Sequence, residues 1–237
     1  MSSACRKKKQ RRVKVLYEDN SLLVLNKPAG LVTLRVATFK GKTLQDFLEE
    51  EFNIFVRERG GIVHRLDKET QGIILVAKNN RAFDHLQDQF KERKVEKVYL
   101  ALIRGKLTGE GEITAPIGRN LGRRLQFAVV PGGKKAETGY QVLKNLKINE
   151  EEYTLVKVRP KTGRTHQIRV HFKYLGNPVF GDSFYGGKKE QGRPMFLVAK
   201  EIKFIHPADG RLMEFKITIP KRLSSLMPAN EKEREKG

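Results

Sequence analysis

Residues 64–79 read HRLDKETQGIILVAKN. The second half, IILVA at 73–77, is a continuous apolar run between Gly72 and the polar pair Lys78 and Asn79. Its length suits a buried strand and is too short for a helix of its own. Asn79 or Asn80 can cap the helix that follows, where Phe83, Leu86 and Phe90 recur at helical spacing. Ahead of the strand, Asp67 stands among His64, Arg65 and Lys68. The carboxylate is therefore expected on a rigid edge, where a turn enters a buried strand. An aspartate before a glycine-containing turn often does no more than cap it. The rest of the chain has to decide between a cap and chemistry.

Outward from this stretch the pattern is rich in strands. VKVLY at 13–17 and LLVLN at 22–26, separated by EDNS, read as a hairpin. Lys27, Pro28, Ala29 and Gly30 stop it. Thr43 with Asp46 marks a helix start, and Leu44, Phe47 and Leu48 share one face. VEKVYLALIRG at 95–105 is a strand whose period of two sends Tyr99, Ala101 and Ile103 to one side. Further strands are predicted near 112–117, 125–130, 138–144, 153–158, 195–199, 202–206 and 213–219. In TGRTHQIRVHFKYLGNP at 162–178, Thr165 is the expected helix cap. Ile168, Phe172 and Leu175 form its apolar stripe, and Gly176 and Pro178 end it. Runs of strands with helices interspersed, and no strict strand–helix alternation, predict an α+β fold. Its sheet would be mixed, mostly antiparallel and flanked by helices. The folded part is expected over 13–220, between a poorly ordered basic tail at 1–12 and a charged tail at 221–237.

The charge balance points to a partner. Forty-eight Lys and Arg against 27 Asp and Glu give a net charge of +21. Such a surplus repels itself unless an anion is the usual company. Nucleic acid is the first candidate and an acidic membrane surface the second. No apolar run approaches the ~20 residues of a spanning helix, and the basic start has no apolar signal core behind it. Cys5 is the only cysteine, so neither a disulfide framework nor a thiolate metal site can be built, and a reducing, cytosol-like compartment fits. The five histidines have no metal-ligand spacing, and GRNLGRR at 118–124 does not fit a P-loop. The GGKK turns at 132–135 and 186–189 are read as backbone-phosphate contacts. GRTHQIRVH at 163–171 places arginines at a helix start, where anion sites are common. A guanidinium brought against Asp67 would orient it and favour its charged form, a sound state for a carboxylate nucleophile. Nothing local says that the two segments meet.

Four stretches together resemble the RluA-type pseudouridine synthases: VLYEDNSLLVLNKPAGL at 15–31, HRLDKETQGIILVAKN at 64–79, KVYLALIRG at 97–105 and GRTHQIRVHFKYLGNPVFGD at 163–182. HRLD followed by HQIRVH is a specific pair. RPMFLVAKEIKFIHP at 193–207 adds weaker support. The resemblance implies a catalytic domain with a central cleft that isomerises uridine within RNA to pseudouridine, without metal or cofactor. It implies Asp67 as the catalytic carboxylate, Tyr99 as the residue that stacks on the base, with a proposed part in proton removal at C5, and Arg169 as the partner of Asp67. Arg65 would fill the gap left by a flipped nucleotide. Arg164 and Lys27 would contact phosphates. Ile168 would line the pocket or pack as ordinary helix core, and His64 would be structural. RNA, ribosomal or transfer, is the implied partner of a cytoplasmic monomer. The competing reading is a basic RNA-binding or ribosome-associated protein that has kept the fold without activity. Gln71, Thr33 with Leu34, and Val198 depart from common family residues. The small N-terminal RNA-binding domain of many relatives is not expected here.

Overall fold

The structure, a computed structural model, describes residues 13–224 except 58, 121, 124, 125 and 187–191. The basic tail at 1–12, most of the charged tail, and parts of the glycine-rich loops at 118–124 and 186–194 lie outside the described residues.

The hairpin expected at the start is β1 (Lys14–Glu18) and β2 (Leu22–Lys27). After a long loop comes α1 (Leu44–Phe52), opened by the expected capping box of Thr43 and Asp46. β3 (Gln71–Ala77) and α2 (Asn80–Lys91) follow, and Asn79 caps α2 by accepting from the Ala82 N–H. Then come β4 (Glu96–Arg104), β5 (Glu110–Thr114), β6 (Ile117–Arg119), β7 (Phe127–Val129), β8 (Glu137–Ile148) and β9 (Glu151–Pro160). The chain continues with α3 (Gln167–Tyr174), β10 (Leu197–Ile205), β11 (Leu212–Lys216) and the single turn α4 (Lys221–Ser224).

Nine strands form one sheet in the order β1-β2-β3-β10-β4-β9-β8-β5, with β11 on β10. Only the β3–β10 junction is parallel, matching Val198 with Gln71 and Ala199 with Gly72. This is the mostly antiparallel mixed sheet that the pattern implied. β6 and β7 form a separate two-stranded ribbon. Gly72 is required at the junction: its φ is 138°, and a Cβ there would lie 2.3 Å from the Ala199 carbonyl oxygen.

Alternation along the strands divides the core, because successive side chains point to opposite faces. One face is a continuous cluster: Leu22, Ile73, Leu75, Val198, Leu100 and Leu155 pack with Ala82 and Leu86 of α2. On the other face the apolar residues form two clusters. Leu23, Leu25, Ile74 and Val76 pack under α1. Ala101, Ile103, Val156 and Val158 pack under Ile168 and Phe172 of α3. Between them lie the central strands and the loop that carries Asp67.

Several local expectations change. The strands at 195–199 and 202–206 are one strand, β10, carried across an irregularity between Ala199 and Glu201. β8 runs past 144 to Ile148 and turns through Asn149 and Glu150, both at positive φ. Thr165 does not cap α3. His166 occupies the cap position in a left-handed conformation and makes no side-chain capping bond. Gln167 serves the helix entrance instead, its side-chain oxygen accepting from the Thr162 hydroxyl and the Arg164 N–H. The folded part also reaches past 220, since Leu223 of α4 is fully buried in the α2-side core.

Candidate active site

Asp67 sits in the loop that enters β3, and the β2–α1 loop clamps its backbone on both sides. The Thr33 hydroxyl donates to the Leu66 carbonyl at 2.6 Å. The Gly30 N–H donates to the Lys68 carbonyl at 2.7 Å, and Lys27 Nζ does so at 3.2 Å. Lys27 is fully buried, and its ammonium also donates to the carbonyls of Pro28 and Leu31. The expected phosphate contact is therefore corrected: this cation binds backbone oxygens inside the protein. His64 is held in the same neighbourhood. Its Nε2 accepts from the Leu75 N–H at 2.9 Å, and its ring stacks on Phe90. Burial, then the nearby Lys97 charge, pushes its pKa down to about 3. It is a neutral imidazole tying the loop to β3.

Arg169, 102 positions away in sequence, brings α3 to this loop. Its Nη1 donates to Asp67 Oδ2 at 3.0 Å. Its other edge grips Asp182, with Nε to Oδ2 at 2.7 Å and Nη2 to Oδ1 at 2.9 Å. Asp182 Oδ1 also accepts from the N–H groups of Phe184 and Tyr185. The guanidinium lies over the Tyr185 ring, 5.0 Å from its centroid. Burial works against its charge, but the hydrogen bonds and charge of Asp182, then Asp67, outweigh it and raise its pKa above the usual arginine value. Asp182 is 1% exposed and Asp67 17%. The buried acid anchors the guanidinium, which in turn orients the accessible one.

Tyr99 comes from β4 on the expected face, beside Ala101 and Ile103. Burial raises its pKa, and the charge of Asp67 raises it further. The phenol is therefore protonated through the neutral range. Among the described residues no group of three His, Cys, Asp or Glu could hold a metal ion.

A model of the RNA pseudouridylate synthase family matches residues 21–174. The chain belongs to that family. It is 41% identical to an uncharacterized RNA pseudouridine synthase of Aquifex aeolicus, over 90% of this chain and 72% of that protein. It is 36% identical to the ribosomal large subunit pseudouridine synthase D of Nitrosomonas europaea, over 92% of this chain and 65% of that protein. The chain thus spans between 65% and 72% of the length of these two relatives. Among solved structures, human RNA pseudouridylate synthase domain containing 1 superposes with a TM-score of 0.74 and 33% identity, covering 91% of this chain and 86% of that one.

Within this RNA pseudouridine synthase fold, the remaining expected residues are placed unevenly. Arg65 is exposed in the loop before β3. Arg164 is exposed, and its Nε donates to the Lys135 carbonyl at 3.1 Å. Ile168 is 6% exposed and packed in the α3 cluster, so it serves as helix core. The sequence reading missed Asp182 and the pair His166 and Tyr185. The motif at 163–182 contains His166 and Asp182 but stops short of Tyr185; Gly181, at a φ of 72° with the Pro194 carbonyl oxygen 2.3 Å from any Cβ, turns the chain so that Asp182 points inward.

Proposed function

We propose that the protein isomerises specific uridines of structured RNA to pseudouridine, with Asp67 as the reacting carboxylate and Arg169 as the group that holds it. The observation that carries this reading is the 3.0 Å contact between Asp67 and Arg169, which leaves the other carboxylate oxygen without a hydrogen bond among the described residues. A carboxylate oriented by a guanidinium and left with a spare oxygen suits covalent or base catalysis at a sugar or base carbon. Tyr99 stacks on the everted base, and its hydroxyl is at hand for proton traffic at C5.

A paired or stacked uridine has to be swung out at a cost of a few kcal/mol. Phosphate contacts and counterion release offset that cost. Arg65, Lys68 and Arg164 are exposed cations close to the site in sequence. A cavity of about 600 Å³ between the β6–β7 ribbon and α3 adds Arg123, Lys173, Tyr174 and Phe184, a cationic and aromatic lining suited to nucleotides flanking the target. Ribosomal RNA of the large subunit is the preferred substrate, because several relatives are named for it at 36–37% identity, and transfer RNA is the alternative. The protein acts as a cytoplasmic monomer without metal or cofactor. No observation favours the inactive binding protein.

The test is tritium release from C5-labelled uridine in ribosomal and transfer RNA. Release from ribosomal RNA by the wild type, lost in Asp67→Asn, is expected. Wild-type protein that binds these RNAs but releases no tritium from either would contradict the reading.

A further inference from the structure

His166 stands between Asp67 and the β6–β7 ribbon. Its Nδ1 lies 2.8 Å from the Tyr185 hydroxyl, and that hydroxyl also accepts from the Phe127 backbone N–H at 3.2 Å. The protons follow from the acceptors at hand: among the described residues the Tyr185 hydroxyl has no acceptor other than Nδ1. A backbone N–H can only donate, so the Tyr185 oxygen accepts from Phe127 and its own proton is free for Nδ1. A neutral imidazole that accepts at Nδ1 carries its proton on Nε2. That Nε2 lies 3.9 Å from Asp67 Oδ1, the oxygen that Arg169 does not bond.

We propose that His166 is a positioning residue for the Asp67 carboxylate, presenting an Nε2–H toward Oδ1 through a relay that runs from Phe127 through Tyr185. The proposal rests on Asp67 being the reacting group. Arg169 then fixes one carboxylate oxygen and His166 limits the swing of the other. At 3.9 Å the contact is not a hydrogen bond in the free protein; catalytic hydrogen bonds commonly tighten only when substrate is bound.

The surroundings agree. Burial lowers the pKa of His166; Asp67 and Asp182 act to raise it, and Arg169 and Arg65 to lower it. Burial raises that of Tyr185. At neutral pH the phenol therefore keeps its proton and the imidazole is uncharged. The groups facing the ring are Asp67 and Arg65 from the loop before β3, Arg169 from α3, and Asp182 and Tyr185 from the turn after it. The rings of Phe127 and Phe184 meet it edge-on. The backbone gives an independent indication. His166 has a φ of 56°, a conformation costly for a non-glycine residue, and gains no capping bond from it.

Two experiments on the full chain decide the matter. In the first, ¹⁵N spectra of histidine-labelled protein should show His166 as the Nε2–H tautomer at neutral pH, with Tyr185→Phe admitting the Nδ1–H form. An Nδ1–H tautomer in the wild type overturns the relay. In the second, tritium release is compared in His166→Gln and His166→Phe, which carry similar backbone strain. Glutamine keeps an N–H donor near the Nε2 position; phenylalanine keeps a flat ring without one. The phenylalanine variant should lose about 10–100-fold in kcat with KM little changed, and the glutamine variant should stay within about fivefold of wild type. Equal losses in both variants, or a loss confined to KM, overturn the positioning role. If the wild type releases no tritium, the reading of Asp67 fails, and the spectra still decide the relay.

Discussion

Among the described residues, two clusters hold a buried basic side chain between two acids, and they differ in one oxygen. In the first, His206 is 3% exposed, with Nε2 2.8 Å from Asp19 Oδ2 and Nδ1 2.9 Å from Asp209 Oδ1. Asp19 Oδ1 accepts from the N–H groups of Ser21 and Leu22, and Oδ2 also accepts from the Tyr17 hydroxyl. Both oxygens are spent, and the cluster staples the β1–β2 turn to the β10–β11 turn. In the second, Asp182 is saturated in the same way, while Asp67 gives one oxygen to Arg169 and keeps the other. An acid beside a base is thus no signature of a site. The signature is an oriented carboxylate with an acceptor left over, at a partly exposed position.

Removing the spent acid should have the largest effect on folding. Asp182→Ala leaves Arg169 buried without its two-pronged partner, so unfolding free energy should fall by about 3–5 kcal/mol in denaturant titrations. A loss below about 1 kcal/mol would mean that Asp182 is not the anchor. Tyr99→Phe keeps the ring and removes the hydroxyl that feels the Asp67 charge. If the hydroxyl takes part in proton transfer, single-turnover tritium release should slow by roughly 10²-fold with little change in RNA affinity, and a rate near wild type would confine Tyr99 to stacking.

The closed cluster makes a prediction about acid. Burial opposes the charge of Asp19, but hydrogen bonds from Tyr17, Ser21, Leu22 and His206 outweigh it and hold its pKa at about 2. A carboxylate depressed in the folded state stabilises above its unfolded value and loses that contribution as pH falls. Roughly 2 kcal/mol of stability should therefore disappear between about pH 4 and pH 2. Asp19→Asn should show a flatter dependence in that window, and an unchanged slope would remove Asp19 as the cause. The smallest effect belongs to an exposed cation. Arg65→Ala should weaken binding across RNA sequences and reduce the slope of log affinity against log salt by about 1. An unchanged slope would place Arg65 away from the phosphates.

How much of this was legible in the sequence follows the range of the interactions. Asn79, Thr43 with Asp46, and the alternation through Tyr99, Ala101 and Ile103 are local signals, and each held. Lys27 was misread because a lysine in a loop ordinarily reaches water. One of the carbonyls it binds, that of Lys68, lies 41 positions away, and local pattern carries no trace of it. Thr165 lost the cap of α3 to a side-chain network centred on Gln167 that includes Thr138 of β8. β10 looked like two strands because its irregularity near Lys200 interrupts the apolar alternation. The pairing of Asp67 with Arg169 entered the sequence reading only through the resemblance of the two motifs; spacing could not have supplied it. Asp182 stayed hidden because its inward direction depends on the left-handed turn at Gly181.

The most direct test is Asp67→Asn, assayed for tritium release and unfolding free energy on the same preparation. Asparagine keeps the shape and removes the reactive charge, while Asp182 still holds Arg169. The expected rate is at least about 10³-fold below wild type, with stability changed by less than about 1 kcal/mol. Release within tenfold of wild type from a folded Asp67→Asn protein would contradict it.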